Sequence, residues 1–269
     1  MPKQVFALLT DFGLGDPYLA QMKGVLLQGV PECTFLDISH MVLPQRIEQA
    51  GFFLCSSWSY LPPGSICLAV VDPGVGTQRR ILYLYKQGRG VLAPDNGLLH
   101  RLLGTPGGQR IFDLSPQQPV KDISATFHGR DVFARIAVEL VQGRVPLATC
   151  PELNQEDLVA TAQAPPVESE GTLRAAVLHI DRFGNCILDL STAAWAHRLE
   201  QAGRLQLLSP AAGPLFPAKT YAEIPHGGVG LLQGSQGCYE LACRGDSCAE
   251  KTGLGIGDTV QFSMASPLW

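Results

Sequence analysis

The 269-residue chain has no apolar run near the roughly 20 residues that a helix needs to cross a bilayer. Charge is sparse, at 16% Asp, Glu, Lys and Arg with a formal net charge of -4, so there is no basic excess from which to build a nucleic-acid-binding face. The opening MPKQVFALLT enters a strand without the layout of a secretory signal. The eight cysteines, at 33, 55, 67, 150, 186, 238, 243 and 248, are scattered. Cys238, Cys243 and Cys248 recur every five residues, which is not a zinc pattern, and several cysteines lie in apolar runs as buried thiols would. Gly13-Leu14-Gly15 lacks the third glycine of a dinucleotide fingerprint. No internal repeat or low-complexity segment occurs. These absences lead us to expect a protein of a reducing compartment, the cytoplasm, with no metal site and neither nucleic acid nor membrane as partner.

At 46% hydrophobic, the chain can bury a sizeable core. Val5–Thr10 (VFALLT) and Ser65–Val71 (SICLAVV) are short apolar runs, the pattern of strands covered on both faces. Thr34–Ile38 reads as a third strand. Helices are expected from Pro17 to about Leu27, where the proline suits a first turn, and from Arg46 to Tyr60, stopped by Pro62-Pro63-Gly64. Ile81–Tyr85 and Val91–Ala93 form a strand pair around Gln87-Gly88-Arg89-Gly90. A short helix is expected near Leu98–Leu103, and Thr105–Ser124 reads as irregular. Val132, Phe133, Ile136, Ala137 and Leu140 share one face of a helix.

Alternation of strands with helices predicts an α/β domain with a mostly parallel central sheet over residues 1–163. The Pro- and Glu-containing run at 164–171 reads as a linker, and residues 172–269 as a smaller β-rich domain. Its predicted strands are Thr172–Ile180, Cys186–Leu190, Arg204–Leu208, Val229–Leu232, Tyr239–Ala242 and Thr259–Met264, with a helix over Ala193–Ala202.

Chemistry concentrates on the loops. Val70–Arg80 (VVDPGVGTQRR) puts Asp72 at the mouth of a buried strand, where open α/β sheets place ligands. A capping Asp with a solvated Arg pair is the plainer reading of this stretch alone. Asp11 and Asp16 follow the first strand as helix caps or as acceptors for hydroxyl or ammonium groups. Thr126–Asp131 (TFHGRD), His179–Asn185 (HIDRFGN) and Gly234–Ala242 (GSQGCYELA) complete the set. With MKGVL at 22–26, Pro44-Gln45, APDNGLL at 93–99 and TYAEIP at 220–225, these motifs together resemble the S-adenosyl-L-methionine hydroxide adenosyltransferases, the hydrolase branch of a family that also holds fluorinating and chlorinating enzymes. The resemblance spans nearly the whole chain, in order.

The resemblance implies an α/β domain and a β-barrel-like domain in a homotrimer, with S-adenosyl-L-methionine held at subunit interfaces as substrate and no cofactor. It implies a water-activating set of Asp72, Arg79 and His128. Asp11 matches a carboxylate that grips the ribose hydroxyls, and Asp16 and Asp181 match acids near the methionine ammonium. Phe183 and Asn185 match residues around adenine, and Ser235 one near the methionine carboxylate. Gln236 follows it where halogenating relatives carry arginine, so charge pairing there is open. The backbone of Arg244–Asp246 matches a further adenine contact. The reaction implied is displacement at ribose C5′, giving adenosine and L-methionine.

Two rivals stand beside it. A halogenase of the same fold would replace Asp72 and His128, and this chain lacks a long insertion between Tyr85 and Val91. A nucleoside- or S-adenosylmethionine-binding sensor would present the same cradle without turnover. His40, His100, His179, His197 and His226 read as structural, Arg80 as structural or solvated, and Trp58, Trp195 and Trp269 as packing.

Overall fold

The structure, a computed structural model, describes residues 3–118, 121–202, 204–210 and 213–265. Trp269 lies outside the described residues. The chain divides into two units after Ala162.

The first unit runs β1 (Val5–Thr10), α1 (Tyr18–Gly29), β2 (Thr34–Ser39), α2 (Ile47–Ser57), β3 (Ile66–Val70), β4 (Ile81–Lys86), β5 (Arg89–Pro94), α3 (His100–Leu103), β6 (Gln109–Asp113), α4 (Ala134–Val141) and β7 (Glu152–Leu153). The strands form one sheet in the order β2-β1-β3-β5-β4-β6-β7. The first four are parallel, and β4, β6 and β7 extend them as an antiparallel wing. Neighbouring residues of β1 point into different cores. Phe6 and Leu8 join Met22 and Leu26 of α1 and Ile136 of α4, while Ala7 and Leu9 join Ala50 and Leu54 of α2 and Leu102 of α3. Layers on both faces are why the strand carries no polar alternation.

That winding creates the position that matters. From β1 the chain crosses through α1 to β2 on one side, then returns through α2 to β3 on the other. The carboxyl ends of β1 and β3 therefore flank a topological switch point, where open α/β sheets bind ligands. Thr10 pairs with Val70 in register, so the loops carrying Asp11 and Asp72 leave the same sheet edge side by side.

The segment 105–124, expected to be irregular, contains β6. Its two buried apolar residues, Ile111 and Phe112, are too few for a sequence signal, and pairing with β4 supplies the rest. Lys86, with its side chain fully buried, donates to Thr105 O at 2.8 Å and Gln109 Oε1 at 2.7 Å, which fastens the segment to β4. The β4–β5 hairpin closes tightly through Gln87 and Gly88, with φ of 52° and 75°. Two successive left-handed residues make a type I′ turn, whose twist matches the strands it joins.

The second unit runs β8 (Val167–Ser169), β9 (Thr172–Ile180), β10 (Cys186–Ser191), α5 (Thr192–Glu200), β11 (Arg204–Ser209), β12 (Gly213–Pro217), β13 (Val229–Gln233), β14 (Cys238–Ala242), α6 (Cys248–Thr252) and β15 (Thr259–Ala265). Seven strands close into a barrel in the order β10-β14-β13-β12-β11-β15-β9, with β9 returning to pair with β10. β12 and β13 are parallel, and the other pairings are antiparallel. β8, within the run read as a linker, adds to β9 outside the barrel. Leu173, Leu188, Leu241, Val260 and Phe262 fill the interior. The α/β unit followed by a small barrel agrees with the fold class expected from sequence.

Phe133, fully buried against the first core, tests this packing. Phe133→Ala should cost about 3–5 kcal/mol in urea unfolding, the range for a truncated core phenylalanine. A loss under about 1 kcal/mol would contradict the packing described.

Candidate active site

The loop after β3 folds back on itself. Gly74 lies so near Arg79 that an added Cβ would stand 3.2 Å from its Cδ. Arg79 thereby presents its guanidinium edge-on to Asp72. Nε donates to Asp72 Oδ1 at 2.7 Å and to Oδ2 at 2.8 Å, and Nη2 also donates to Oδ2. Both side chains are buried, at 8% exposure for Arg79 and 4% for Asp72. A forked, charge-assisted pair of this kind fixes orientation as well as charge. The guanidinium also lies over the Phe133 ring, 5.7 Å from its centroid.

His128 reaches the same guanidinium from another loop. Gly76, at φ +79°, lets the 72–80 loop pass under residue 125; a Cβ there would lie 2.6 Å from Ala125 O. His128 precedes a π-helical turn, Gly129–Phe133, which runs into α4. Such turns gather at functional sites. Asp131, within the turn, accepts the Ser124 N–H at 2.9 Å and pairs with Arg130, so it ties down the approach to His128. Arg79 Nη2 then sits 3.2 Å from His128 Nδ1.

This contact sets the tautomer. A guanidinium can only donate, so Nδ1 must be the bare nitrogen and the neutral ring carries its proton on Nε2. Burial first, then the Arg79 charge, pull the His128 pKa below its ordinary value, against the opposing pull of Asp72 and Asp131. One guanidinium nitrogen is left over. Arg79 Nη1 is buried and has no hydrogen-bond partner among the described residues. A buried donor without an acceptor is costly, and it is suited to holding an oxygen brought in with a ligand.

Asp11 is half-buried beside this cluster at the β1 end. Its Oδ2 accepts the Gln45 N–H at 2.9 Å, from a residue in the left-handed region at φ 65°. The β1 and β2 ends are tied by His40, whose Nδ1 lies 2.9 Å from Thr10 Oγ1 and whose carbonyl accepts the Gly13 N–H at 2.8 Å. Buried His40 thus has a structural place. Asp16 is exposed in the next bend. Arg80 turns away to pair with buried Asp95 at 2.7 Å. Trp58 is buried in the second core of the sheet.

The second unit carries its own cleft, of about 690 Å³, a size usual for small-molecule sites. Asp181, Phe183, Asn185, Ser235 and Gln236, singled out from the sequence, all line it. Asp181 organises the β9–β10 turn: Oδ1 accepts the N–H groups of Phe183 and Asn185, and Oδ2 accepts Asn185 Nδ2, each at 2.9 Å. Gly184, at φ +83°, packs so closely on Ser247 that a Cβ would meet its Oγ at 2.2 Å. The turn leaves Phe183 78% exposed at the cleft. The sequence did not single out the lining residues Ile187, Cys243, Ser247, Tyr221 and Glu240, of which the last two hydrogen-bond to each other. Both lie inside quoted motifs, TYAEIP and GSQGCYELA, but only barrel closure reveals what they face.

Among the described residues no group of three or more His, Cys, Asp or Glu is arranged to hold a metal ion. Cys243 and Cys248 lie in the barrel core with Cys186; burial raises the Cys243 thiol pKa to about 12, and the hydrogen bond with Cys186, then burial, raises that of Cys248.

The two units match, in order, family models for the N-terminal domain of SAM hydroxide adenosyltransferase over residues 6–150 and for its C-terminal domain over 175–261. The chain belongs to the SAM hydroxide adenosyltransferase family. It is 38% identical to the (R)-S-adenosyl-L-methionine hydrolase of Thermus thermophilus, covering 94% of this chain and 97% of that protein. It is 34% identical to the hydrolase of the same name from Salinispora arenicola, covering 94% and 95%. The fluorinase of Nocardia brasiliensis matches at 25% identity, covering 97% of each. Among solved structures, an uncharacterized conserved protein from Thermotoga maritima superposes with a TM-score of 0.83 at 25% identity, covering 96% of this chain and 99% of that one.

Protonating His128 would set two donors and two cations against each other at the Arg79 contact. Activity that depends on this cluster should therefore fall as pH drops through the depressed His128 pKa. The acid limb of a pH–rate profile is expected below pH 6.5, the ordinary histidine value. A limb above that value would contradict the tautomer assigned.

Proposed function

We propose that the chain hydrolyses S-adenosyl-L-methionine to adenosine and L-methionine, by attack of water at ribose C5′. The observation that carries this is the buried Asp72–Arg79–His128 cluster at the switch point, with Arg79 Nη1 left to receive an oxygen. The hydrolases named above support it as relatives.

The chemistry asks little of a general acid, because the departing methionine thioether is neutral. Water is the weak partner and must be held in line and relieved of a proton. Arg79 Nη1 and His128 Nε2–H are donors that can orient its oxygen. In this arrangement Asp72 is the proton acceptor, since His128 Nδ1 is occupied and Nε2 already carries hydrogen. Asp72 Oδ1, which accepts only from Arg79 Nε, keeps a lone pair for that proton. The attacking O–H bond breaks, the C5′–O bond forms, and the C5′–S pair leaves with sulfur.

Binding roles follow from the same reading. Asp11 and Asp16 would hold polar groups of the substrate from the first unit. Phe183, Asn185, Ser235 and Gln236 would hold it from the barrel cleft, with Asp181 fixing their turn. A homotrimer with sites at subunit interfaces, a cytoplasmic location and a reaction without cofactor belong to the proposal. Mass measurement in solution tests the trimer, and dialysis against a chelator, expected to leave turnover unchanged, tests the last.

Asp72→Ala should lower turnover by about 10²–10⁴-fold, the usual worth of general-base help, while S-adenosyl-L-methionine still binds within a few-fold. Undiminished turnover would remove Asp72 from the mechanism. Chloride at high concentration should leave adenosine as the product; accumulation of 5′-chloro-5′-deoxyadenosine would make this a halogenase.

A further inference from the structure

Glu240, on β14, lines the barrel cleft yet is only 7% exposed. Removing a carboxylate from water is costly unless partners replace the solvent. Glu240 has one: Oε1 accepts the Tyr221 hydroxyl at 2.6 Å, and Oε2 accepts no hydrogen bond among the described residues. Burial first, and then the charge of Asp181, push its pKa up, while the Tyr221 hydrogen bond pulls it down. That hydrogen bond in turn raises the Tyr221 pKa to about 12.

Asp181 also lines the cleft, with part of its carboxylate engaged by its own turn. Its two oxygens already accept three hydrogen bonds from its own turn. The residues lining the cleft include the carboxylates Asp181, Glu240 and Asp246 and no lysine, arginine or histidine. Arg182 and Arg244 adjoin lining residues in sequence but are not among them. The cleft is thus an anionic pocket in which one nearly buried carboxylate oxygen is uncommitted. Two like charges held close are strained by mutual repulsion, and a bound cation relieves both.

We propose that Glu240 is a specificity-determining residue, whose uncommitted Oε2 makes the barrel cleft select a positively charged ligand over its neutral counterpart. This rests on the substrate reading above. S-adenosyl-L-methionine carries a sulfonium, an ammonium and one carboxylate, for a net positive charge, whereas the product adenosine is neutral. A cleft of this sign holds the substrate and releases the nucleoside. The two cationic groups share one chemistry toward a carboxylate, and the experiment separates them.

Glu240→Gln keeps the shape and an acceptor for Tyr221 while removing the charge. Equilibrium titration of the full chain, in the Asp72→Ala background so that ligand survives, compares three ligands. S-adenosyl-L-methionine carries both cations, S-adenosyl-L-homocysteine only the ammonium, and 5′-methylthioadenosine neither. The glutamine variant should bind S-adenosyl-L-methionine about tenfold more weakly or worse, as expected for losing a partly buried charge-assisted contact, and 5′-methylthioadenosine within twofold of the parent. Parallel loss for S-adenosyl-L-homocysteine assigns the ammonium; loss confined to S-adenosyl-L-methionine assigns the sulfonium. Equal loss for all three, or no loss for S-adenosyl-L-methionine, overturns the proposal.

Tyr221→Phe provides a second route should the glutamine variant not fold. Losing the hydroxyl removes the hydrogen bond that holds Glu240 Oε1 and favours its charged form, so the same selective loss is expected, and an equal loss for all three ligands again overturns the proposal. Turnover plays no part in these titrations. A failure here leaves hydrolysis by the wild-type chain standing, and absence of hydrolysis would be seen separately.

Discussion

One guanidinium holds the candidate active site together. Arg79 forks onto both oxygens of Asp72, touches His128 Nδ1 with Nη2, and keeps Nη1 for an oxygen that the described residues do not supply. Everything that the cluster can do follows from a donor-only group placed between a carboxylate and an imidazole. It dictates which histidine nitrogen is bare, leaves the carboxylate as the acceptor, and points a spare donor into the site. A lysine could not do the same, because its point charge lacks the planar fork.

The fold exists around that guanidinium in a literal sense. Crossing from β1 to β2 and back to β3 brings the Asp11 and Asp72 loops out at one sheet edge. Gly76 lets the Asp72 loop pass close under Ala125, and the π-helical turn at 129–133 holds His128 on a second loop against Arg79. Phe133 from the same turn underlies the Arg79 plane. Core packing and site geometry therefore share residues, and a defect in one is felt in the other. The barrel adds a cleft whose charge is opposite to that of a sulfonium substrate. The two units bring different physics: directed hydrogen bonding in the first, and an electrostatic preference in the second.

Much of this was legible in the residues. Buried-type strands announced a sheet covered on both faces, and Asp72 stood out as a carboxylate at the mouth of such a strand, although that stretch alone reads equally well as a capped turn. The partnership with His128 was legible only through resemblance, since 49 residues separate it from Arg79 and no local pattern joins them. β6 and β12 were missed because their sequences are weakly apolar and exist as strands through pairing alone. Glu240 was invisible for a related reason. A glutamate between Tyr239 and Leu241 could face either side of a strand, and only closure of the barrel turns it toward the cleft. Asp181 shows a related case: it lines the cleft as the sequence led us to expect, and it also organises its own turn, which no local pattern announces.

In the proposed reaction water, oriented by this cluster, displaces the thioether at C5′. The most direct measurement is to turn over S-adenosyl-L-methionine in oxygen-18 water, without halide, and to locate the label by mass spectrometry. Attack of water at C5′ puts one heavy oxygen in adenosine, at the 5′ position, and none in the methionine. Unlabelled adenosine, or label carried by the amino-acid fragment, would mean that another bond is cut or another nucleophile attacks.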